Sequence, residues 1–494
     1  MTKGNAGRVK TSAGSVQKDA TDAAIKRGKV VAAVVGGVAA VGLIGLAVGL
    51  NLGATRTGSD AVIEAIITDN GDLKIDWSRF EYFEKVLGGE GLTIGTSGVY
   101  HLTGEISDGM VMVNAIDGKV KLILDNVTIK NSAGPAIFCK NADDLVIEVV
   151  GDNYLEDGAS YAANVDEDAT GVIYSKDDLT LTGEGSLTVV AQHKDGIVGK
   201  DDLKISSGAY TVTAIDDGVR GTDSVYIAGG TVTITAKGDG IKSTNNATPG
   251  KGFVLIEGGE VSISAGESGI SAYNSVAVTG GKLNIAKSYE GIEAQSVAVS
   301  GGEVAIVASD DGINAGGGTV TDANGQTTTP KTNPNCVIAV SGGSVYINAA
   351  GDGVDSNGYL YFDGGKIVID GPTSNENGAL DAGLAIEMRG GEVIAMGASG
   401  EAMSLGSASR VFNVNLYFTS TLPAGTTIEI RDAAGEIVMQ HTSAKSFDHL
   451  AAGSAGLKFG ETYSVWVNGA KTAEFTVTDT VTTLNGIMVA EVAK

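Results

Sequence analysis

The chain has 494 residues, of which 73 are Gly and 6 are Pro, and carries a formal net charge of −25. Gly at about twice its usual share without a G-X-Y period excludes collagen, and the acidic balance excludes a partner read through its phosphates. Two Cys are too few for a disulfide scaffold or a Cys-rich zinc module, while 43% apolar residues allow a large core in several domains or one long repeat array.

Residues 1–29 hold seven basic and two acidic side chains, and residues 30–50 then run 21 positions without a charge. As a helix that run is long enough to cross the hydrocarbon core. The pattern predicts a cytoplasmic basic segment at 1–29 and a single-pass transmembrane helix at 30–50. The bulk of the chain is then extracellular, anchored in the cell membrane. A cleaved signal peptide is the competing reading, but residues 51–56 lack a convincing small-x-small cleavage site. Gly45 and Gly49 form a GxxxG pair, so a homodimer through this helix is expected. Residues 51–90 read as a linker, with a short helix over 74–87.

From about residue 194 a unit of 21 or 22 residues recurs, with copies starting at Lys194, Asp216, Glu267, Tyr289 and Gly351. Within one unit Val225 and Ile227 precede the pair Gly229 and Gly230, and Val232 and Ile234 follow it. Period-two alternation of β-branched residues predicts strands, and the double Gly predicts a tight corner. A shorter strand contributes one inward residue per unit: Ile197, Val219, Ile241, Ile270, Ile292, Ile313 and Val354. Three short strands and three turns make one coil of a parallel β-helix, an all-β solenoid that we place over 91–410. A β-propeller would need units about twice as long. Cys139 and Cys336 fall about seven coils apart, beyond disulfide reach, and read as free thiols.

Two positions before most of these inward residues stands an acid: Asp195, Asp217, Asp239, Glu290, Asp311 and Asp352. Asp216 and Asp310 add a second acid, and Glu267 comes one place early in its coil. Stacked in register, neighbouring carboxylates would lie about 5 Å apart and repel by roughly 3 kcal/mol at an effective dielectric of 20. Protons or cations must neutralise them, because Lys194, Lys237, Lys242 and Lys287 are too few. Hard carboxylate oxygens suit Ca²⁺, whereas no His or Cys recurs for zinc. Ordinary Asp-Gly turns are the plain alternative.

Insertions at 245–252 and 316–335 leave the chain between this corner and the next strand, and a third loop spans 372–378. The first two would wall a groove suited to an extended polymer, with Tyr273, Tyr289 and Lys242 as sugar contacts. Residues 411–494 abandon the repeat for alternating strands. Turn signals from Asp432 to Gly435 and at Asn468-Gly469 predict a small β-sandwich-like cap over the open end of the solenoid.

The segment 98–149, the coils carrying Asp-Asp-Gly and Gly-Gly, and the tail 425–469 together resemble the bacterial carbohydrate-binding domain family with a calcium-binding parallel β-helix, related to pectate lyases. The resemblance implies a right-handed β-helix, Ca²⁺ at the coil corners and a polysaccharide partner such as polygalacturonate or cellulose. The positions matching its acidic corners are Asp195, Asp216, Asp217, Asp239, Asp310, Asp311 and Asp352.

A lyase built on this plan would need a base beside the metal, and the resemblance points to Arg220, which follows Asp216-Asp217-Gly218. A hydrolase would need two carboxylates at a set distance, and sequence-adjacent acids on a strand make poor partners. The reading is therefore calcium-dependent polysaccharide binding without assigned catalytic residues. A uronate lyase and a structural or adhesive surface protein are the alternatives.

Overall fold

The computed structural model describes residues 75–489, apart from 90, 164, 318–319, 322–326 and 329–330. The expected basic segment, transmembrane helix and helix-mediated dimer lie outside the described residues. No helix among the described residues is long and apolar enough to cross a membrane.

The repeat folds into coils with three faces. On the first face twelve parallel strands stack from Gly91–Ile94 to Leu380–Ala382. One coil shows how the other two faces arise. Val219–Gly221 lies between Asp195–Gly199 and Ile241–Ser243 on the first face. Ser224–Ile227 lies between Asp202–Ile205 and Phe253–Ile256 on the second. Thr231–Ala236 lies between Ala209–Ala214 and Glu260–Ser264 on the third. Every one of these pairings is parallel and in register with the sequence repeat, the topology of a parallel β-helix.

Alternation sends every second side chain inward, and stacking turns each inward position into a column. Ile173, Ile197, Val219, Ile241, Ile270, Ile292, Ile313, Val354 and Leu380 form one such column, and all are buried. Burial of each contributes about 1.5–3 kcal/mol, which no single coil could collect alone. The double-Gly corner joins the second and third faces. Gly230 has φ +85°, and a Cβ there would stand 2.6 Å from the carbonyl oxygen of Gly208 in the coil below. Both the left-handed backbone and the close approach require Gly.

The solenoid begins earlier than the repeat suggests. In place of a helix over 74–87 there is a single 3-10 turn, Trp77–Arg79, followed by the strand Tyr82–Leu87. This strand pairs in parallel with Gly98–Ile106, and Phe83 stacks on Tyr100 at 4.7 Å. Pairing with the next coil decides the conformation of a short segment whose local pattern is ambiguous.

At the other end the last third-face strand, Glu392–Gly397, pairs antiparallel with Phe447–Ser454. That strand pairs antiparallel with Asn413–Leu422, which in turn pairs in parallel with Val481–Ile487. A separate four-stranded sheet is built from Ile437–Thr442, Thr427–Arg431, Thr462–Val467 and Ala470–Thr476. The two sheets enclose a core of their own that includes Ile394 and Met396 of the last coil. The cap thus covers a sheet edge that would otherwise invite pairing. Its turns are those expected: Gly435 donates to the carbonyl of Asp432, and Asn468 and Gly469 both have positive φ. Cys139 and Cys336 are free and buried.

Candidate functional site

The first-face corner carries three parallel columns, one residue per coil. The acid column is Asp195, Asp217, Asp239, Ser268, Glu290, Asp311 and Asp352, joined coil to coil by backbone bonds such as Gly218 N to the Asp239 carbonyl. A flanking column one residue earlier holds Asp216, Gly238, Glu267, Tyr289, Asp310 and Gly351. An outer column, three residues after the acids, holds Arg220, Lys242, Ser271, Glu293, Asn314, Asp355 and Asp381. Glu267 therefore leaves the acid column, and Ser268 takes its rung.

The acids first do a structural job. Each Asp carboxylate accepts the backbone N–H of the next rung. Asp217 N donates to Asp195 Oδ1 at 3.2 Å, Asp239 N to Asp217 Oδ1 at 3.1 Å and Ser268 N to Asp239 Oδ1 at 2.8 Å. The pattern resumes with Asp352 N to Asp311 Oδ1 at 2.7 Å and Gly378 N to Asp352 Oδ1 at 2.5 Å. This explains why acids sit at a position that burial would otherwise disfavour.

Charge divides the column into two halves. In the first half the outer column is basic. Arg220 Nη1 lies 3.2 Å from Asp195 Oδ2, and Lys242 Nζ lies 2.7 Å from Asp239 Oδ2 and 3.3 Å from Asp217 Oδ2. Asp195, Asp217 and Asp239 are all buried, so these are desolvated pairs. Burial still pushes Asp217 up to about 6, with Lys242 opposing. Asp195 and Asp239 nonetheless share two built-in cations with it. Asp195, Asp216 and Asp217 converge, with carboxylate oxygens within 4.8 Å of one another, but the guanidinium of Arg220 already reaches this group.

In the second half the outer column turns acidic. Asp311, Asp352 and Asp355 bring carboxylate oxygens within 4.8 Å of one another. Among the described residues no basic side chain forms an ion pair with any of them. Burial, then the charges of Asp381, Asp352 and Asp311, push Asp355 up to about 7. Burial likewise raises Asp311 and Asp352 to about 6, with Asp310 and Asp381 adding to it and a backbone N–H opposing it in each. Glu290 rises to about 7 through burial and then Glu293, although Asn314 Nδ2 lies 3.4 Å from both of its oxygens.

The donor set tests well for a hard cation. Three carboxylates converge, burial raises all three above the ordinary carboxylate range, and there is room for them. Gly351 sits against Asp310 and Asp311, where a Cβ would stand 2.5 Å from Asp310 Oδ1 and overlap Asp311 Oδ1. Asp310 also accepts from the exposed Tyr289, whose phenol this contact raises. Of the acids read from the sequence, Asp311 and Asp352 come together and Asp310 stands beside them. Asp355 was missed, because it lies on the strand Val354–Ser356 rather than in an Asp-Asp-Gly turn.

A second acidic stack was also missed. Asp144, Asp178 and Asp202 align at the corner between the first and second faces, preceded in sequence by Asp143, Asp177 and Asp201. The repeated Asp-Asp-Leu at 143–145, 177–179 and 201–203 was the available signal. Lys119 Nζ pairs with Asp143 at 2.8 Å and with Asp144, and Lys251 Nζ lies 3.3 Å from Asp202 and 3.4 Å from Asp223.

Beside the acid column lies an open cleft of about 280 Å³. Its floor is the outer column where the sign changes, Lys242, Ser271 and Glu293, and its sides include Tyr273, Gln295 and Gly316 with Gly317. Thr244, which leads into the 245–252 insertion, and Gly316, which leads into the second insertion, both line it. Tyr273 is about half exposed, at 49%. Tyr289 is exposed too, but it stands over Asp310 rather than in this cleft. Lys242 lines the cleft with its charge already shared by Asp217 and Asp239.

Residues 88–333 match the family described as carbohydrate-binding domain-containing protein. The matched span contains the cleft, Arg220, Lys242 and Asp311, and ends before Asp352 and Asp355. A carbohydrate-binding domain-containing protein of Acetivibrio thermocellus is 37% identical over 122 residues, 24% of this chain and 43% of that protein. This chain therefore matches less than half the length of that relative. A solved structure titled as a polysaccharide lyase-like protein from C. thermocellum, gadolinium derivative, is 32% identical. Its alignment covers 44% of this chain and 90% of that one, with a TM-score of 0.39.

Proposed function

We propose that this chain is an extracellular polysaccharide-binding protein, held at the cell membrane through residues 30–50 and dependent on calcium. The observation that carries the reading is the cleft beside the acid column, floored by Ser271 and Glu293 and flanked by Tyr273, within the span that matches a carbohydrate-binding family. A half-exposed Tyr beside hydroxyl and amide groups offers a sugar ring an apolar platform and a polar rim. An acidic plant-type glycan such as polygalacturonate, or cellulose, fits the elongated first face.

Calcium would be held by Asp311, Asp352 and Asp355, with Asp310 adjacent. It would neutralise carboxylates that otherwise repel by roughly 3 kcal/mol per pair at an effective dielectric of about 20. A uronate polymer would gain from the same cation, because the cleft's own Lys242 is committed to Asp217 and Asp239.

Binding without catalysis is favoured over lyase action by the state of Arg220. Its guanidinium lies against buried Asp195 and reaches Thr170 Oγ1 at 3.4 Å. Those contacts engage the guanidinium with the chain's own side chains, and Arg220 does not line the cleft where a base would have to meet the sugar. The test is retention of the full chain on insoluble polygalacturonate and on microcrystalline cellulose, with calcium or with chelator. Retention should fall in Tyr273→Ala, and on polygalacturonate also in chelator. Equal retention by Tyr273→Ala removes the cleft from the account. Absorbance of unsaturated uronate during incubation would make the protein a lyase.

A further inference from the structure

The 245–252 insertion is mostly exposed, yet it is tied at both ends to one acidic stack. At its start Asn245 Nδ2 donates to Asp223 Oδ1 at 2.5 Å, and Asn245 Oδ1 accepts from Ala247 N and Thr248 N, both at 2.9 Å. At its end Lys251 Nζ bridges Asp202 and Asp223, and Gly252 N donates to the Asp223 carbonyl at 2.7 Å. Burial alone would lower the Lys251 amine, but Asp202 and Asp223 together hold it above its ordinary value. On the other side of the strap lies the cleft. Asn274 N donates to the Gly252 carbonyl at 2.8 Å, and Asn274 Nδ2 donates to the Lys251 carbonyl at 3.3 Å. Gly252 packs so closely that a Cβ on it would stand 3.3 Å from Tyr273 Cβ.

We propose that Lys251 is a positioning residue for the glycan cleft: by bridging Asp202 and Asp223 it straps the 245–252 loop against Asn274 and so fixes Tyr273 as a ready-made platform. The inference rests on reading the cleft as the sugar site. Lys251 does not line the cleft, so it acts through the loop. Without the bridge, Asp202 and Asp223 face each other and Asp201, whose carboxyl burial and then Asp223 already raise. The loop end then loses its charged anchor, and Tyr273 must be ordered when sugar binds. Ordering one side chain at binding weakens affinity by roughly two- to tenfold.

The experiment compares full-length Lys251→Met, Lys251→Arg and Tyr273→Ala for retention on microcrystalline cellulose and on calcium-bridged polygalacturonate, alongside their melting curves. Lys251→Met should bind roughly two- to tenfold more weakly with a melting curve close to the parent. Lys251→Arg keeps the bridge and should restore retention, which a merely space-filling role would not require. Asp223→Asn should weaken binding in the same direction. If Tyr273→Ala loses binding while Lys251→Met binds like the parent, the strap is wrong and the cleft stands. If Tyr273→Ala binds like the parent, both fall.

Discussion

Replacing Asp355 with Asn removes one charge from a site with no basic ion-pair partner among the described residues and leaves its shape nearly unchanged. In the folded chain Asp355 stands at about 7 against an ordinary 3.8. Between those values the folded protein holds a proton that the unfolded chain has released. Stability therefore falls as pH rises through this window, and the loss is complete above about pH 7. A shift of about three units corresponds to roughly 4 kcal/mol, which water at the partly open site reduces to about 2 kcal/mol. For a chain of this length about 2 kcal/mol moves the melting temperature by about 2 °C. In chelator at about pH 8, Asp355→Asn should therefore melt about 2 °C higher than the parent, and the gap should close towards pH 4. With calcium the order should reverse, because the parent gains a ligand that the variant holds less well. Thermal melts of both proteins, with and without calcium at several pH values, check this. Superimposable curves under every condition would refute the claim that Asp355 shares a site with Asp311 and Asp352.

Other expectations follow from the same geometry. Lys242→Met should cost about 3 kcal/mol, because it leaves buried Asp239 without its cation and Asp217 with only the Arg220 guanidinium at 3.9 Å, and hydrogen exchange should report loosening of the neighbouring coils. Asp370, on the strand Lys366–Asp370, accepts from His441 Nε2 at 2.9 Å, Ser443 Oγ at 3.0 Å, Ala444 N at 3.1 Å and Tyr346 OH at 2.9 Å. Burial raises its carboxyl, but these donors outweigh burial and hold it below the ordinary range. Its contribution is present above that range and is lost as pH falls below it. Asp370→Ala should cost about 3 kcal/mol and make the cap susceptible to proteolysis at neutral pH.

Much of the solenoid is legible because its signals are local and repeated. Val225, Ile227, Val232 and Ile234 alternate, Gly229 and Gly230 mark the corner, and the same frame returns in coil after coil. The acidic corner is legible for the same reason. Its division is not, because Arg220, Lys242 and Asp355 acquire their meaning only from neighbours one coil away. Arg220 and Lys242 look like two surface cations until stacking sets them against Asp195, Asp217 and Asp239. Asp355 looks like an outward strand residue until Asp311, 44 positions earlier in the chain, arrives beside it. The insertion between those coils hides their register. The strand Tyr82–Leu87 escapes for a related reason, since its partner Gly98–Ile106 rather than its own pattern makes it a strand.

The proposed divalent-cation site lies in the second half of the acid column, at Asp311, Asp352 and Asp355. Calorimetric titration of calcium into the full chain tests this most directly, comparing Asp352→Asn with Asp216→Asn. Saturable binding should be lost or greatly weakened in Asp352→Asn and kept in Asp216→Asn, whose neighbours already have Arg220. Binding that survives Asp352→Asn but disappears in Asp216→Asn would contradict it.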